Sequence, residues 1–303
     1  MIGALSELFA TSPSLAGLRN RLERAARADA AVLIIGEPGT GRSTLARAIH
    51  AASPRCEAAL VELDPGVIPS SLFESEFFGY EQGAFTGAAG PVPGRVERAA
   101  SGTLVLDHVE ELPLMAQPKL LRLLAERRYA PLGGTERSAD VRFIALGSEE
   151  LPRRVEQGTF RQDLYYRLEV LAFRLPPIRE RAGDLPGLID AVLADLKERY
   201  GRPTCELSQS ARDWMASYNW PGNLRQLRNV LERALVLGTE DLIDPAPPHA
   251  GVGEQRPRSL VELERQAIVD TLAYTRGHQG RAAQLLGISR KALWEKRRRH
   301  GIA

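Results

Sequence analysis

Apolar residues at Leu15, Leu18, Leu22, Ala25 and Ala26 recur at the three- and four-residue spacing of a single helix face. They predict a helix ahead of "AVLII" (31–35), an unbroken apolar run with the length of a strand buried on both faces. Similar runs return as "LVEL" (60–63), "TLVLD" (103–107), "VRFIAL" (141–146) and "VLAFRL" (170–175). Between them lie stretches with helical spacing, such as "QPKLLRLLAERR" (117–128). Strands alternating with helices predict an α/β fold with a parallel sheet. After "LPPIRERAGDLP" (175–186) the strand signals stop, and helical patterns over 185–200, 208–218 and 223–237 predict a small helical domain. The segment "DPAPPHAGVGEQRPR" (244–258) carries four prolines and two glycines and reads as a linker. Beyond it, Ser259 and Glu262 have capping-box spacing and open a new helix. The chain therefore divides into an α/β region (1–178), a helical region (179–240), a linker (241–258) and a C-terminal helical module (259–303).

At 303 residues the chain is long enough for such a division, and 44% hydrophobic residues suffice for a sizeable core. Cys56 and Cys205 are far apart and lack metal-ligand spacing, which excludes a disulfide framework or zinc site and predicts two small buried residues. The start "MIGALSELFATSPS" has no basic region and no apolar run reaches the roughly 18 residues of a membrane span, so a cytoplasmic protein without membrane contact is expected. Net charge is +2, but residues 276–303 hold eight Lys/Arg against Glu295 alone, a tail of +7 on a body of −5. That asymmetry predicts a nucleic-acid-binding end.

Candidate chemistry begins at "GEPGTGRST" (36–44), between the first strand and the helical "LARAIH". Strand, glycine-rich loop and helix in this order cradle phosphates with backbone N–H groups and a helix N-terminus. Gly36, Glu37, Gly39, Thr40, Gly41, Arg42, Ser43 and Thr44 are the candidate phosphate-binding residues. The spacing is that of a P-loop except that Arg42 stands where lysine is usual. A guanidinium keeps the charge but is a planar fork in place of a compact ammonium, so binding is expected to survive better than catalysis. A generic glycine-rich turn would explain the glycines without the flanking strand and helix. Asp107, at the end of an apolar strand, is placed to join Ser43 at a Mg²⁺ ion, and the next residue is His108.

The stretch "ESEFFGYEQGAFTGAAG", with "GRVERAASGTLVLD", "FRQDLYYRL", "LPPIRER", "WPGNLRQLRNV" and "RAAQLLGISRKALWEKRRRHGI", closely resembles the bacterial enhancer-binding AAA+ activators that remodel sigma-54 RNA polymerase. The resemblance runs from about Ser12 to the C-terminus. It implies an AAA+ P-loop NTPase core with a parallel sheet, an α-helical lid and an all-α Fis-type helix-turn-helix domain. It also implies ATP and Mg²⁺ as cofactors, sigma-54 RNA polymerase and double-stranded enhancer DNA as partners, and a homo- or hetero-oligomeric ring. In the family the hexapeptide Gly83, Ala84, Phe85, Thr86, Gly87 and Ala88 contacts sigma-54, Phe85 and Thr86 most directly. Arg161 and Arg167 match arginines that reach a neighbouring subunit's γ-phosphate, and Arg225 matches the lid arginine that senses nucleotide. At the C-terminus "RAAQLLG" reads as a helix, "GIS" as a turn and 289–300 as a basic second helix. Arg290 and Lys291 in its first turn are candidates for base edges, with Arg281 and Ser289 beside them. Lys296, Arg297, Arg298 and Arg299 are candidates for phosphates, and the stripe of Leu260, Leu263 and Ala267 for packing against a dimer mate.

Four positions depart from the family pattern, and all belong to hydrolysis. Arg42 replaces the P-loop lysine, and His108 replaces the glutamate that activates water. Asp64 replaces an asparagine that positions that glutamate, and Ser148 the asparagine that senses the γ-phosphate. Loss of a general base alone removes roughly 10² to 10⁴ in rate. If Asp64 and His108 are neighbours, a carboxylate has moved from one side of the pair to the other, and a hydrogen-bonded Asp–His pair is expected. Three readings stay open: an activator that hydrolyses slowly or shares a ring with an intact paralogue, a self-sufficient ATPase using His108, and a DNA-binding regulator that binds nucleotide without ATPase activity. Because the phosphate loop starts at residue 36, control by a trans-acting regulator is also expected.

Overall fold

The computed structural model describes residues 12–238, 242–245, 247, 264, 268, 271, 272, 275 and 278–299. It separates into two compact units, Met1–Pro247 and Pro248–Ala303. The linker expected over 244–258 lies mostly outside the described residues, as do Ser259, Leu260, Glu262, Leu263, Ala267 and His300.

In the first unit the chain runs α1 (Ala16–Arg27), β1 (Val32–Ile35), α2 (Arg42–Ala51), β2 (Leu60–Leu63) and α3 (Ser70–Phe78). A short hairpin follows, β3 (Gly79–Tyr80) and β4 (Val92–Pro93), then β5 (Thr103–Leu106) and α4 (Gln117–Glu126). A second hairpin, β6 (Arg128–Tyr129) and β7 (Arg137–Ser138), precedes β8 (Arg142–Gly147), α5 (Gln162–Leu168) and β9 (Leu171–Arg174). The five apolar runs form one sheet in the order β2-β5-β8-β1-β9, every pair parallel. Leu33, Leu104, Leu106, Phe143 and Ala145 pack on one face, while Val32, Ile34, Val105, Ile144 and Leu146 pack on the other. Both faces are buried, which is why these strands read as continuous rather than alternating apolar runs. Since β5, β8 and β1 are neighbours, the residues following them emerge side by side at the carboxyl end of the sheet, where α/β folds bind ligands.

The helical part of this unit holds α6 (Leu185–Tyr200), α7 (Gln209–Ser217) and α8 (Asn223–Leu237) around fully buried Trp220. One strand pair escaped the sequence pattern: β10 (Glu206–Leu207) pairs in parallel with β11 (Leu242–Ile243). Two-residue strands are too short to show a period. Cys205 is buried as expected, but Cys56 is only partly covered, because it sits in the turn that follows α2.

In the second unit α9 (Gln279–Leu285) and α10 (Arg290–Arg299) meet through Ala282, Ala283 and Leu293, packed on Ile268. Gly287, at φ 68°, supplies the left-handed residue of the turn between them.

Candidate functional site

The phosphate loop leaves β1 and enters α2 through Gly39 and Gly41, at φ 80° and 105°. A Cβ at Gly39 would lie 2.4 Å from the carbonyl oxygen of Gly222, so only glycine lets the loop and the helical lid approach this closely. Thr40 steadies the turn by donating from its hydroxyl to the Glu37 carbonyl at 2.8 Å. No side chain caps α2 at Gly41, which leaves the first-turn N–H groups, including those at Ser43 and Thr44, available to an anion. Arg42 does not project over the loop. It is 5% exposed, and its Nη1 donates to the carbonyls of Gly36 at 3.0 Å and Gly147 at 2.5 Å. Its Nη2 lies 3.5 Å from Asp107 Oδ1.

Asp107 follows β5 beside this loop. Its Oδ2 accepts from Ser43 Oγ at 3.3 Å, and its Oδ1 accepts from the His108 N–H at 2.9 Å. His108 adopts a left-handed backbone, φ 48° and ψ 51°, which swings its ring toward the end of β2. There His108 Nδ1 lies 2.9 Å from Asp64 Oδ2, while Asp64 Oδ1 accepts from the Gly66 N–H at 2.9 Å. The expected Asp–His pair is thus present. Ser148 follows β8, but its hydroxyl accepts from the Glu150 N–H at 3.3 Å, a local turn.

Glu110 was not singled out from the sequence, where it is one of two adjacent acidic residues in a turn. It is 6% exposed; Oε1 accepts from the Ser148 N–H at 3.0 Å, and Oε2 has no partner among the described residues. The peptide unit joining Gly147 to Ser148 therefore receives the Arg42 guanidinium at its carbonyl and offers its N–H to the Glu110 carboxylate.

The helical lid is bonded directly to the phosphate loop. Asn223, fully buried at φ 51°, accepts from the Ile178 N–H at 2.9 Å and donates to Glu37 Oε2 at 3.1 Å and the Pro38 carbonyl at 3.2 Å. Removing it would orphan a buried N–H, at a cost of about 1–3 kcal/mol. Arg179 pairs with both oxygens of Glu37, and this contact, with smaller help from Asn223, holds the Glu37 carboxyl below its ordinary value despite partial burial. Arg181, buried, donates to the Thr40 carbonyl at 2.8 Å. Asn223, Arg179 and Arg181 were visible in the sequence only as parts of quoted blocks. Arg225 is exposed, its Cβ close to where one on Gly39 would stand, and it makes no hydrogen bond or ion pair among the described residues. Arg161 is chelated by Asp163 at 3.0 and 2.8 Å, and Arg167 donates to the Leu124 carbonyl at 3.1 Å. Neither is grouped with the phosphate loop by any contact among the described residues.

The hexapeptide forms the tip of the first hairpin. Gly83 and Gly87 take φ 79° and 103°, with the Gly83 N–H bonded to the Ala88 carbonyl at 3.0 Å. Phe85 is 46% exposed and rests edge-on against Tyr80, at 4.9 Å between ring centres. Ala84 and Thr86 flank it, Thr86 exposed, while Ala88 turns inward. The second hairpin braces the first: Glu81 N–H donates to Leu132 at 2.9 Å, Leu132 N–H to Gly79 at 2.9 Å, and Arg137 pairs with Glu81.

On α10, Lys291, Arg298 and Arg299 are exposed. Ser289 caps the helix, its hydroxyl accepting from the Ala292 N–H at 3.1 Å. Arg290 is exposed, and its guanidinium lies over Gly280, where a Cβ would stand 2.1 Å from Nη2. Lys296 pairs with Glu264 at 2.5 Å, Arg297 is partly buried, and Arg281 is exposed on α9. Of the expected base-reading and phosphate-contacting residues, all but Arg281 on α9 and Ser289 at the cap lie on α10, and Lys296 is already engaged within the unit.

Ser43 and Asp107 are the side chains expected at a magnesium ion, and as they stand they do not fit a preformed site. They are bonded to each other, and the carboxylate is shared with a guanidinium and a backbone N–H.

A five-stranded parallel sheet with a phosphate loop after β1, a carboxylate after β5 and a helical lid pinned to that loop defines an AAA+ nucleotide-binding protein carrying a helix-turn-helix. Residues 8–174 match the Sigma-54 interaction domain, 179–259 the AAA+ ATPase lid domain and 259–300 the bacterial regulatory proteins of the Fis family. The chain is 41% identical over 302 residues to the alginate biosynthesis transcriptional regulatory protein AlgB of Pseudomonas aeruginosa, covering 96% of this chain and 67% of the relative. It is 39% identical over 315 residues to the response regulator protein PilR of the same species, covering 98% and 70%. The structure of NtrX from Brucella abortus in complex with ATP superposes with a TM-score of 0.71 at 30% identity, covering 94% of this chain and 67% of that one. The chain belongs to the sigma-54-dependent transcriptional regulators. Sigma-54 RNA polymerase and DNA are accordingly its partners. No helix among the described residues is long and apolar enough to cross a membrane.

Proposed function

We propose that this chain binds ATP at the loop from Gly36 to Thr44, binds enhancer DNA through α10, and joins a ring that remodels sigma-54 RNA polymerase through Phe85 and Thr86. Its own hydrolysis is weak, and it acts most effectively beside an intact paralogue. The observation that carries this reading is a contrast within one unit. Phe85 and Thr86 stand exposed on a hairpin braced by a second hairpin, while Arg42, Asp64, His108 and Ser148 make bonds unlike those their positions call for in hydrolysis. A loop kept for engaging the polymerase has no purpose in a DNA-binding regulator that only binds nucleotide.

In a mixed ring, Arg161 and Arg167 complete the neighbour's site. Both are held by weak partners that a γ-phosphate would displace: an exposed carboxylate two residues away and a single carbonyl. The reading needs no divalent ion resident in this chain. A trans-acting regulator that contacts the AAA+ surface would set when the ring forms. The domain limits proposed are those read from the sequence: core to 178, lid to 240, linker to 258 and DNA-binding module to 303.

Transcription from a sigma-54 promoter in a purified system, with the chain alone and mixed with an intact paralogue, tests the reading. Activation in the mixture should be lost on Thr86→Ala, and indifference to that change would refute it. The second reading, a nucleotide-binding regulator without ATPase activity, is favoured by the burial of Arg42; it predicts DNA binding modulated by ATP with no turnover in any mixture.

A further inference from the structure

We infer that Arg42 is a built-in counter-cation, so that this chain binds the phosphates of ATP or ADP without a divalent ion. The inference rests on the reading that a nucleotide occupies this loop.

The guanidinium is 5% exposed and wedged between the phosphate loop, the end of β8 and the carboxylate after β5. Two backbone carbonyls, Gly36 O at 3.0 Å and Gly147 O at 2.5 Å, hold Nη1, and Nη2 faces Asp107 Oδ1 at 3.5 Å. A lysine ammonium is a point charge on a flexible stem and leaves one acceptor for another readily. A guanidinium is a rigid fork that stays charged, and here both of its prongs are engaged. Asp107 has no oxygen left without a protein donor, since Ser43 Oγ faces Oδ2 at 3.3 Å and the His108 N–H reaches Oδ1 at 2.9 Å.

Seating a divalent cation on Asp107 would set two positive charges against a fixed third that cannot give up its proton, in a site partly shielded from water. Displacing Arg42 is opposed from the other side too. The carbonyl that receives it belongs to the peptide unit whose N–H holds buried Glu110 at 3.0 Å, so withdrawal disturbs both partners. Without metal the phosphates meet the uncapped N–H groups at the start of α2, the fixed charge of Arg42 beneath the loop, and exposed Arg225 beside Gly39.

Titration of the full chain with fluorescent ATP and ADP analogues, once in Mg²⁺ and once in EDTA, decides the point. The affinities of the wild type should agree within about threefold, whereas Arg42→Lys, checked for folding by its melting curve, should bind about tenfold more weakly in EDTA. A wild-type loss of tenfold or more in EDTA overturns the inference and leaves the nucleotide reading standing. Absence of saturable binding in either condition overturns both. If Arg42→Lys fails to fold, the wild-type comparison alone decides; if it folds and stays indifferent to EDTA, the assignment to Arg42 is wrong.

Discussion

Asp64 Oδ2 lies 2.9 Å from His108 Nδ1, so a carboxylate at the end of β2 orients an imidazole at the end of β5 and leaves Nε2 without a partner among the described residues. Strands β2 and β5 are neighbours in register from Leu60↔Thr103 to Leu63↔Leu106, which sets Asp64, directly after β2, beside Asp107 and His108 after β5. The left-handed backbone of His108 completes the approach. The pair holds a carboxylate and a basic ring as a general-base site does, but with the carboxylate after β2 and the ring after β5. Exchanging the pair as Asp64→Asn with His108→Glu should therefore raise ATP turnover by roughly 10² to 10⁴. Steady-state phosphate release checks this, and unchanged turnover would mean that the defect lies elsewhere, with Arg42 the first suspect.

Acid should loosen the lid. The Glu37 carboxyl is held below its ordinary value chiefly by Arg179, so the stability it contributes is present above about pH 4.3 and is lost as the pH falls through the lower folded value. Melting temperature followed from pH 6 to pH 3 should fall less steeply in Arg179→Met than in the wild type. Parallel curves would show that the contact carries no pH-dependent stability.

The hairpin that presents Phe85 depends on glycine at its base. A Cβ on Gly94 would stand 2.3 Å from the Gly79 nitrogen and 2.5 Å from the Phe77 carbonyl, both backbone atoms that cannot yield cheaply. Gly94→Ala should displace the hairpin and reduce sigma-54-dependent activation by about tenfold or more, while ATP affinity changes by less than about twofold, since the phosphate loop is on another strand. Equal loss of both would show general unfolding instead.

Lys291 is exposed in the first turn of α10, whereas Lys296 is tied to Glu264. With Lys291 at a base edge, Lys291→Ala should weaken binding to the specific duplex by about 1–3 kcal/mol while binding to unrelated duplexes changes little. Equal weakening on both, with the salt slope reduced by about one, would assign it to a phosphate instead.

The sheet was legible because each central strand is buried on both faces and so stands out as an apolar run bounded by polar residues. The helices of the lid were legible from their period, down to the bounds of α6 and α8. Contacts made by backbone geometry were not. Nothing in the order of residues indicates that Arg42 turns beneath its loop, that Glu110 is buried against Ser148, or that Asn223 adopts φ 51° to reach Glu37. The Asp64–His108 pair could be anticipated because two substitutions at aligned positions exchange the same chemistry.

Steady-state ATP turnover of the purified chain, alone and mixed with a hydrolysis-competent relative, tests the central claim most directly. The chain alone should turn over at least about 10² more slowly than the relative. The mixture should exceed the relative's own rate, and that gain should vanish with Arg161→Ala in this chain. Full turnover by the chain alone, or a mixture no faster than the relative, would contradict the account.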